Sequence, residues 1–162
     1  MKRVLFVCVH NSGRSQIAEA LFNRYAAGKA IASSAGTRPA SHIDRNVAEA
    51  MREIGIDIGN QRPKMLTPDM MADADRIITM GCSANGVCPA TFKATEDWGI
   101  EDPEGKPIDR VREIRDEIDG KISRLIEQML GGTEYDERKS TSMPTSGRLL
   151  TILRRRRRTN AE

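Results

Sequence analysis

The sequence predicts a three-layer α/β domain, in which helices cover both faces of a parallel β-sheet. The 162 residues alternate short apolar runs with segments whose apolar residues recur at helical spacing, and residues typical of helix ends stand between them. Strands that alternate with helices are joined by right-handed crossovers, which make the strands parallel. A chain of this length with 38% hydrophobic residues can bury one core, so we expect one main domain.

The first half of the chain predicts three strands and two helices. The run RVLFVC favours a strand, and Ile17, Leu21 and Tyr25 then recur at the spacing of a helix. Asp44 is a predicted N-cap and Gly55 a predicted stop of the second helix. The predicted strands are residues 3–8, 30–36 and 56–58, and the predicted helices are residues 14–28 and 44–55.

The second half predicts a short helix, a fourth strand and a long final helix. Thr67 is a predicted N-cap before Pro68, whose missing N–H costs nothing at the first helical position. Residues 75–80 read as a strand, and residues 81–107 as irregular. The final helix ends at Gly131, and its apolar face is formed by Val111, Ile114, Ile118, Ile122, Leu125 and Met129.

Composition excludes a membrane-spanning helix and favours a reducing compartment. No apolar run approaches the roughly 20 residues that such a helix needs. The apolar stretch at the N-terminus is also shorter than the roughly 7–15 residues of a signal-peptide core. The chain has three cysteines, and an odd number without an export signal argues against a disulfide framework. We therefore expect a cytoplasmic protein.

The C-terminal segment has a different composition from the rest. Residues 133–162 carry 8 Lys and Arg against 4 Asp and Glu, whereas residues 1–132 carry 18 against 19. The segment is rich in Ser and Thr and has five arginines from Arg154 to Arg158. We expect residues 1–131 to form the folded domain and residues 132–162 a polar, basic, disordered tail.

A loop with a cysteine at one end and an arginine at the other follows the first strand. Five residues separate Cys8 from Arg14, and Ser15 comes next. Such a loop can point its backbone N–H groups inward, and the following helix adds its positive N-terminal end, which together cradle a tetrahedral oxyanion. The predicted oxyanion-binding residues are Val9, His10, Asn11, Ser12, Gly13 and Arg14.

The same surroundings predict that Cys8 is a nucleophile. Positive charge favours the thiolate form of a cysteine, and a guanidinium can bind two oxygens of the anion as a fork. The Ser15 hydroxyl can donate to the sulfur and steady the thiolate. The alternative is a small buried cysteine before an ordinary turn, and the full Cys-x5-Arg-Ser spacing favours function over it. The loop is not a nucleotide P-loop, because no Gly-Lys-Ser/Thr follows.

Two further cysteines, Cys82 and Cys88, follow the predicted strand 75–80 with an Asn-Gly pair between them. The carboxyl ends of parallel strands share one edge of the sheet, so Cys82 is expected near Cys8. A zinc site is an alternative, but it needs four ligands, and only His10 and His42 stand beside the three thiols. Inert buried cysteines are the other alternative.

The motif CVHNSGRSQ resembles the signature of the low-molecular-weight tyrosine phosphatase superfamily, and GRSQIAEALF is similar to its arsenate reductase branch. The resemblance covers about residues 1–131. It implies a flavodoxin-like domain with a central four-stranded parallel sheet. It also implies that Asp102, followed by Pro103, is the general acid, although the pair alone reads as an ordinary turn.

The resemblance to thioredoxin-coupled arsenate reductases implies a relay of three thiols. Cys8 would attack arsenate, Cys82 would release arsenite by forming a disulfide with Cys8, and Cys88 would take that disulfide over. The catalytic set is then Cys8, Arg14, Ser15, Cys82, Cys88 and Asp102. The implied partners are arsenate as substrate and thioredoxin as reductant, with no cofactor and no metal.

The sequence departs from the family pattern in two places. Many relatives have a cysteine where this chain has Gly13, so a local disulfide with Cys8 is impossible here. Asn11, Glu19 and Ser34 match a cation site of some arsenate reductases. An acid of that site is replaced in the segment NQRPKM, and Lys64 there could supply the charge instead, so we expect no potassium requirement.

Three other functions stay open at this point. A phosphatase needs only Cys8, Arg14 and Asp102. Reduction coupled to mycothiol or glutaredoxin needs fewer protein thiols. A thiol-based sensor or oxyanion-binding module could use the arginine-rich tail to contact nucleic acid, although a run of arginines is more often a solvated terminus and no aromatic platform accompanies it.

Overall fold

The computed structural model describes residues 1–81 and 95–131 and contains four strands and four helices in those ranges. The strands are β1 (Lys2–Cys8), β2 (Ala30–Gly36), β3 (Arg76–Thr79) and β4 (Thr95–Asp97). The helices are α1 (Arg14–Ala26), α2 (Arg45–Arg52), α3 (Pro68–Asp73) and α4 (Ile108–Leu130). Cys82, Cys88 and the predicted tail, residues 132–162, lie outside the described residues.

The four strands form one parallel sheet in the order β2-β1-β3-β4. β1 is central and pairs with β2 from Lys2 opposite Ala30 to Cys8 opposite Gly36. The carboxyl ends of β1, β2 and β3 therefore lie along one edge of the sheet. The predicted α/β class with a four-stranded parallel sheet is confirmed.

Layers of side chains on both faces of the sheet make the core. On one face, Phe6 packs with apolar residues of α1, α2 and α4, among them Phe22 and Ile118, all fully buried. On the other face, Leu5 and Ile77 pack with the segment that carries α3. The alternation along β1, with Phe6 facing one layer and Leu5 the other, follows from the two-residue period of a strand.

One predicted strand is wrong, and one observed strand was not predicted. Residues 56–58 form no strand: Ile58 is buried, but the Asp57 side chain accepts from the N–H of Gly59 in a tight turn. β4 falls in the segment that reads as irregular, because its three residues are polar and exposed. β4 forms because it pairs with β3, and the residues of β4 alone do not indicate this pairing.

The predicted helix ends are confirmed at three positions. The Asp44 side chain accepts from the N–H of Val47 at 3.1 Å, and the Thr67 hydroxyl accepts from the N–H of Met70 at 3.3 Å. Gly131 adopts a left-handed conformation after α4, with φ 62°. Among the described residues, no helix has the length and apolar character needed to cross a membrane.

Helices α2 and α4 are tied together by Glu53, the residue after α2. Its carboxylate accepts from Arg112 Nε at 2.9 Å and Arg112 Nη2 at 2.6 Å, and Arg115 Nη1 lies 3.4 Å away. The hydrogen bonds from Arg112, with a further contribution from the charge of Arg115, lower the pKa of Glu53 below its usual value. A lowered pKa means that the folded state favours the charged carboxylate.

We expect Glu53→Gln to destabilise the protein at neutral pH by about 0.5–1 kcal/mol, the scale of a partly exposed ion pair. A carboxylate with a lowered pKa stabilises the fold above its unfolded pKa and loses that effect as the pH falls through its folded pKa. The difference between wild type and variant, measured by urea unfolding, should therefore begin to decrease near the usual glutamate pKa of about 4.3 and vanish only once the pH is below the lowered pKa of Glu53. Glu117→Gln, at an exposed position of α4, is the control. A difference that persists in acid would contradict the interpretation.

Candidate active site

Residues 8–14, called the anion loop here, connect β1 to α1 and enclose the sulfur of Cys8. Cys8 is a free thiol and almost fully buried. Its Sγ lies 2.8 Å from the Ser15 hydroxyl and accepts from the backbone N–H of Asn11 at 3.1 Å. The predicted contact between Ser15 and Cys8 is therefore present.

The carbonyl oxygens of the anion loop are held by the segment that follows β2. Their partners are four N–H groups within residues 37–44. Because the N–H of a peptide group points away from its carbonyl, the N–H groups of these peptides face the inside of the loop. The pairs are Cys8 O with Thr37 N (3.2 Å), Val9 O with Arg38 N (2.8 Å), His10 O with Ala40 N (2.9 Å) and Ser12 O with Asp44 N (3.0 Å).

Gly36 allows this close approach. A Cβ built on it would lie 2.5 Å from the carbonyl oxygen of Val9 and 3.0 Å from Asn11 Cβ. Backbone cannot move out of the way as a flexible side chain can, so any larger residue at the end of β2 would push the anion loop away.

The side chain of Asn11 is the centre of a buried hydrogen-bond network. It is fully buried, and its φ of 50° lies in the left-handed region, which asparagine tolerates better than most residues. Its Nδ2 donates to Ser15 Oγ at 2.7 Å and to Ser34 Oγ at 2.9 Å. Its Oδ1 accepts from Gln16 Nε2 at 3.0 Å and from the backbone N–H of Lys64 at 2.8 Å. The sequence predicts Asn11 as a loop residue, but not that it joins four elements of the chain.

Arg14 is buried, and backbone carbonyls fix its guanidinium. Nη1 donates to the carbonyls of Met80 at 2.8 Å and Ile100 at 3.0 Å, and Nη2 donates to Asp102 Oδ2 at 3.2 Å. The two carbonyls belong to chain segments that directly follow β3 and β4. The predicted cation, Arg14, and the predicted acid, Asp102, are therefore in contact. The sequence alone does not show this contact, because 88 positions separate the two residues.

Asp102 stands on a loop, residues 101–105, that we call the acid loop. Its side chain is 44% exposed, and its Oδ1 accepts from the N–H of Glu104 at 3.0 Å. Glu101 anchors the loop to α4, accepting from Arg110 Nε at 2.7 Å, and lies 3.3 Å from Lys106 Nζ. Hydrogen bonds from Arg110 and then from Lys106 lower the pKa of Glu101 below its usual value, so the anchor is charged at neutral pH.

Glu19, Ser34 and Lys64 meet behind the anion loop. The Ser34 hydroxyl donates to Glu19 Oε2, and Lys64 Nζ lies 3.4 Å from the same oxygen. An ammonium group thus lies beside the carboxylate in the cluster that the sequence resemblance matched to a cation site. Lys64 therefore lies where the sequence analysis expects its charge to stand, and the absence of a potassium requirement stays a prediction.

Another group of potential metal ligands lies at the mouth of the site. One ligand atom each of His10, Asp102 and Glu104 lie within 4.8 Å of one another. His10 already pairs with Glu104, and Asp102 with Arg14. The guanidinium next to Asp102 disfavours a second cation there, and the alternative of zinc on Cys82 and Cys88 concerns thiols outside the described residues.

Comparisons with known proteins fit this geometry. The model of the low molecular weight phosphotyrosine protein phosphatase family matches residues 3–134. This chain belongs to that family. An arsenate reductase of Brevibacillus brevis is 37% identical over 128 residues, covering 78% of this chain and 95% of that protein.

Two solved structures of the phosphatase family are similar to the chain. A thioredoxin-dependent arsenate reductase of Corynebacterium glutamicum has 43% identity and a TM-score of 0.69 over 80% of this chain. The chain spans 62% of that protein's length. An arginine phosphatase of Geobacillus stearothermophilus has 27% identity and a TM-score of 0.72, covering 80% of this chain and 94% of that one. The predicted superfamily is confirmed, and with it an enzyme of the phosphatase and arsenate reductase kind.

The described part of the site thus contains two hydrogen-bonded pairs of predicted residues, Cys8 with Ser15 and Arg14 with Asp102. Gln16, which links the network to the carbonyl of Arg62 at 3.3 Å, was not predicted as a site residue. Its position directly after the Arg-Ser pair was the only signal in the sequence.

We expect Asn11→Ala to destabilise the protein by about 2–3 kcal/mol, because it leaves several buried groups without their partner. Asn60→Ala, at an exposed turn, is the matched control and should change the free energy of unfolding by less than about 0.5 kcal/mol. Urea unfolding measures both. Equal effects of the two substitutions would show that the network adds nothing to stability.

We expect Lys64→Met to make the stability of the protein sensitive to potassium. The substitution keeps the length of the side chain but leaves Glu19 without its cation, at a cost of about 1 kcal/mol. Thermal unfolding in potassium chloride is compared with choline chloride at equal ionic strength. Potassium should restore part of the loss in the variant and leave wild type unchanged. A potassium effect of the same size in wild type would contradict the role given to Lys64.

Proposed function

We propose that this protein reduces arsenate to arsenite, with Cys8 as the nucleophile and thioredoxin as the final reductant. The observation that carries the proposal is the buried Cys8 sulfur, which is hydrogen-bonded to the Asn11 N–H and to the Ser15 hydroxyl in a loop whose last residue, Arg14, pairs with Asp102. The sequence adds two more thiols, Cys82 and Cys88. Relatives named arsenate reductase support this substrate.

The first step is the binding of arsenate in the anion loop. Backbone N–H groups and the N-terminus of α1 attract the anion, and Arg14 supplies the positive charge. Because two carbonyls hold Arg14 Nη1, the guanidinium is positioned before the substrate arrives, and little entropy is lost on binding.

The second step is the attack of Cys8 on arsenic. A sulfur–arsenic bond forms, an arsenic–oxygen bond breaks, and the oxygen leaves as water after taking a proton. Asp102 is the proposed donor of that proton, since it stands next to Arg14 at the mouth of the loop.

The third step transfers two electrons to arsenic. Cys82 attacks the Cys8 sulfur, a disulfide forms, and the electron pair of the sulfur–arsenic bond reduces arsenic(V) to arsenic(III), which leaves as arsenite. Cys88 then attacks Cys82, which frees the Cys8 thiolate and moves the disulfide to Cys82 and Cys88. The position of Gly81, which directly precedes Cys82, supports the attack of Cys82 on Cys8, because a Cβ built on Gly81 would lie 3.3 Å from Arg14 Nη1.

The last step is the reduction of the Cys82–Cys88 disulfide by the dithiol of thioredoxin. The support is the presence of two thiols besides Cys8, since reduction coupled to mycothiol or glutaredoxin needs fewer. The similar Corynebacterium protein is thioredoxin-dependent by name. In this proposal residues 1–131 carry the whole reaction, and the basic tail from residue 132 is outside it.

Phosphoester hydrolysis is the second candidate. The same cradle fits phosphate, and Cys8, Arg14 and Asp102 suffice for it. The likeness to an arginine phosphatase supports this chemistry. The three functions left open by the sequence differ in what they require: a phosphatase does not need Cys82, a mycothiol- or glutaredoxin-coupled enzyme does not need Cys88, and a nucleic-acid-binding module needs the tail.

We expect arsenate-dependent turnover with thioredoxin, thioredoxin reductase and NADPH, and much less with glutaredoxin or mycothiol. Cys82→Ser should abolish arsenite production and leave hydrolysis of p-nitrophenyl phosphate intact. Cys88→Ser should allow a single turnover that ends in a Cys8–Cys82 disulfide, read by mass spectrometry of the peptides. Cys8→Ser should remove both activities.

Arsenite production that survives in Cys82→Ser would overturn the relay. Full multiple turnover of Cys88→Ser with glutaredoxin would favour the simpler coupling. Hydrolysis without any arsenate turnover in wild type would identify a phosphatase. Salt-dependent DNA binding that disappears when residues 132–162 are deleted would identify the nucleic-acid module.

A further inference from the structure

Three neighbouring contacts join the acid loop to the anion loop. Asp102 pairs with Arg14, His10 Nδ1 lies 3.2 Å from Glu104 Oε2, and Pro103 packs on Gly13. The first contact belongs to the proposed chemistry. The other two involve the side chains of His10, Glu104 and Pro103, to which the proposed reaction gives no role, and Pro103 and Glu104 lie within two residues of Asp102.

Gly13 provides the surface on which Pro103 rests. A Cβ built on Gly13 would lie 2.8 Å from Pro103 Cγ and 3.5 Å from Pro103 Cδ. On its other side, that Cβ would lie 3.5 Å from a methyl group of Val47, which is fully buried in the core. A larger residue at position 13 would be confined between the two, and the proline ring would have to move.

The acid loop cannot absorb such a shift at its ends. The carbonyl of Ile100 is held by Arg14 at 3.0 Å, and the carbonyl of Lys106 accepts from Asn46 Nδ2 at 3.0 Å. With both ends fixed, a displaced Pro103 bends the middle of the loop. Asp102 is the residue directly before the proline, so its carboxyl group moves with it.

His10 acts on the same loop through Glu104. The two side chains are 39% and 64% exposed, and an exposed pair of this kind adds little to the free energy of folding. Its effect is on position, because the N–H of Glu104 donates to Asp102 Oδ1 at 3.0 Å. The imidazole therefore restrains the residue whose backbone orients the carboxyl group of Asp102.

We propose that Gly13 and His10 are positioning residues, which hold the acid loop against the anion loop so that Asp102 faces the substrate bound at Cys8. This inference rests on the proposed function, since it assumes that Asp102 donates a proton there. The anion loop then does more than bind: through Gly13 and His10 it also sets the distance between acid and nucleophile. A misplacement of about 1 Å can cost a reaction on the order of 100-fold in rate.

The test compares Gly13→Ala and His10→Ala with wild type, with Asp102→Asn as the reference for complete loss of the acid. Each is measured for arsenate turnover and for hydrolysis of phenyl phosphate and p-nitrophenyl phosphate. Gly13→Ala and His10→Ala should lower kcat by about 10- to 100-fold, part of the contribution of a general acid. KM should change little. The loss should be larger for phenyl phosphate, whose leaving group needs the proton more.

Two measurements separate positioning from a merely structural effect. The rate at which iodoacetamide alkylates Cys8, and its protection by inorganic phosphate, should stay at wild-type values because the anion loop is intact. In the Asp102→Asn background, Gly13→Ala and His10→Ala should have no further effect on kcat, since the acid that they position is gone.

The chain offers matched controls. Gly120→Ala, on α4, places a methyl group where only the tip of Arg124 comes near, at 3.7 Å. It should leave kcat and the alkylation rate of Cys8 unchanged. His10→Asn puts an amide close to the position of Nδ1 and should restore most of the activity lost in His10→Ala. Glu104→Ala should reproduce the effect of His10→Ala from the other loop.

The inference is overturned if the substitutions lower kcat as much in the Asp102→Asn background as in wild type, or if phosphate protection of Cys8 is lost in parallel. It is also overturned if Gly13→Ala and His10→Ala leave kcat unchanged. Failure of the proposed function looks different: wild type then produces no arsenite, and the two phosphate esters still test the positioning of Asp102. Absence of all three activities in wild type would overturn both the proposed function and the positioning role of Gly13 and His10.

Discussion

The buried side chain of Asn11 is the constraint on which the site depends. It holds the anion loop closed by bonding to Ser15, Ser34, Gln16 and the backbone of Lys64, while its own N–H points at the Cys8 sulfur. The backbone there is left-handed, and a buried network compensates such a conformation only when every member is satisfied. The Cys8 thiol and the loop around it are therefore one rigid unit.

Charge at the site is arranged around a fixed arginine. Carbonyls of Met80 and Ile100 hold the guanidinium of Arg14, and Asp102 shares it. In the proposed reaction, an oxyanion bound in the anion loop would compete with Asp102 for the same donors. Behind the loop, Lys64 provides Glu19 with a built-in cation. Both arrangements place charge before the substrate arrives, which lowers the reorganisation that the reaction requires.

One cradle of this kind supports two chemistries. In the functions proposed above, the anion loop, Arg14 and Asp102 serve attack on phosphorus and on arsenic alike, and similar proteins are named for each. Reduction needs electrons from outside the anion loop. Two further thiols, Cys82 and Cys88, follow β3 in the sequence. Gly81, which comes directly before Cys82, lies next to the guanidinium of Arg14. The choice between the two reactions thus lies in the chain that surrounds the cradle.

The sequence by itself determined the α/β class, the loop from Cys8 to Arg14 and the helix ends at Asp44 and Thr67, because these depend on residues close together in the chain. Only the tertiary structure decided what pairs over long separations: β4 with β3, Arg14 with Asp102, and Pro103 with Gly13. The predicted strand at residues 56–58 was wrong because three residues carry too little pattern to identify a strand without knowledge of its partner. Local chemistry fixes elements, whereas sheet edges and loop contacts are fixed by partners that the local pattern does not contain.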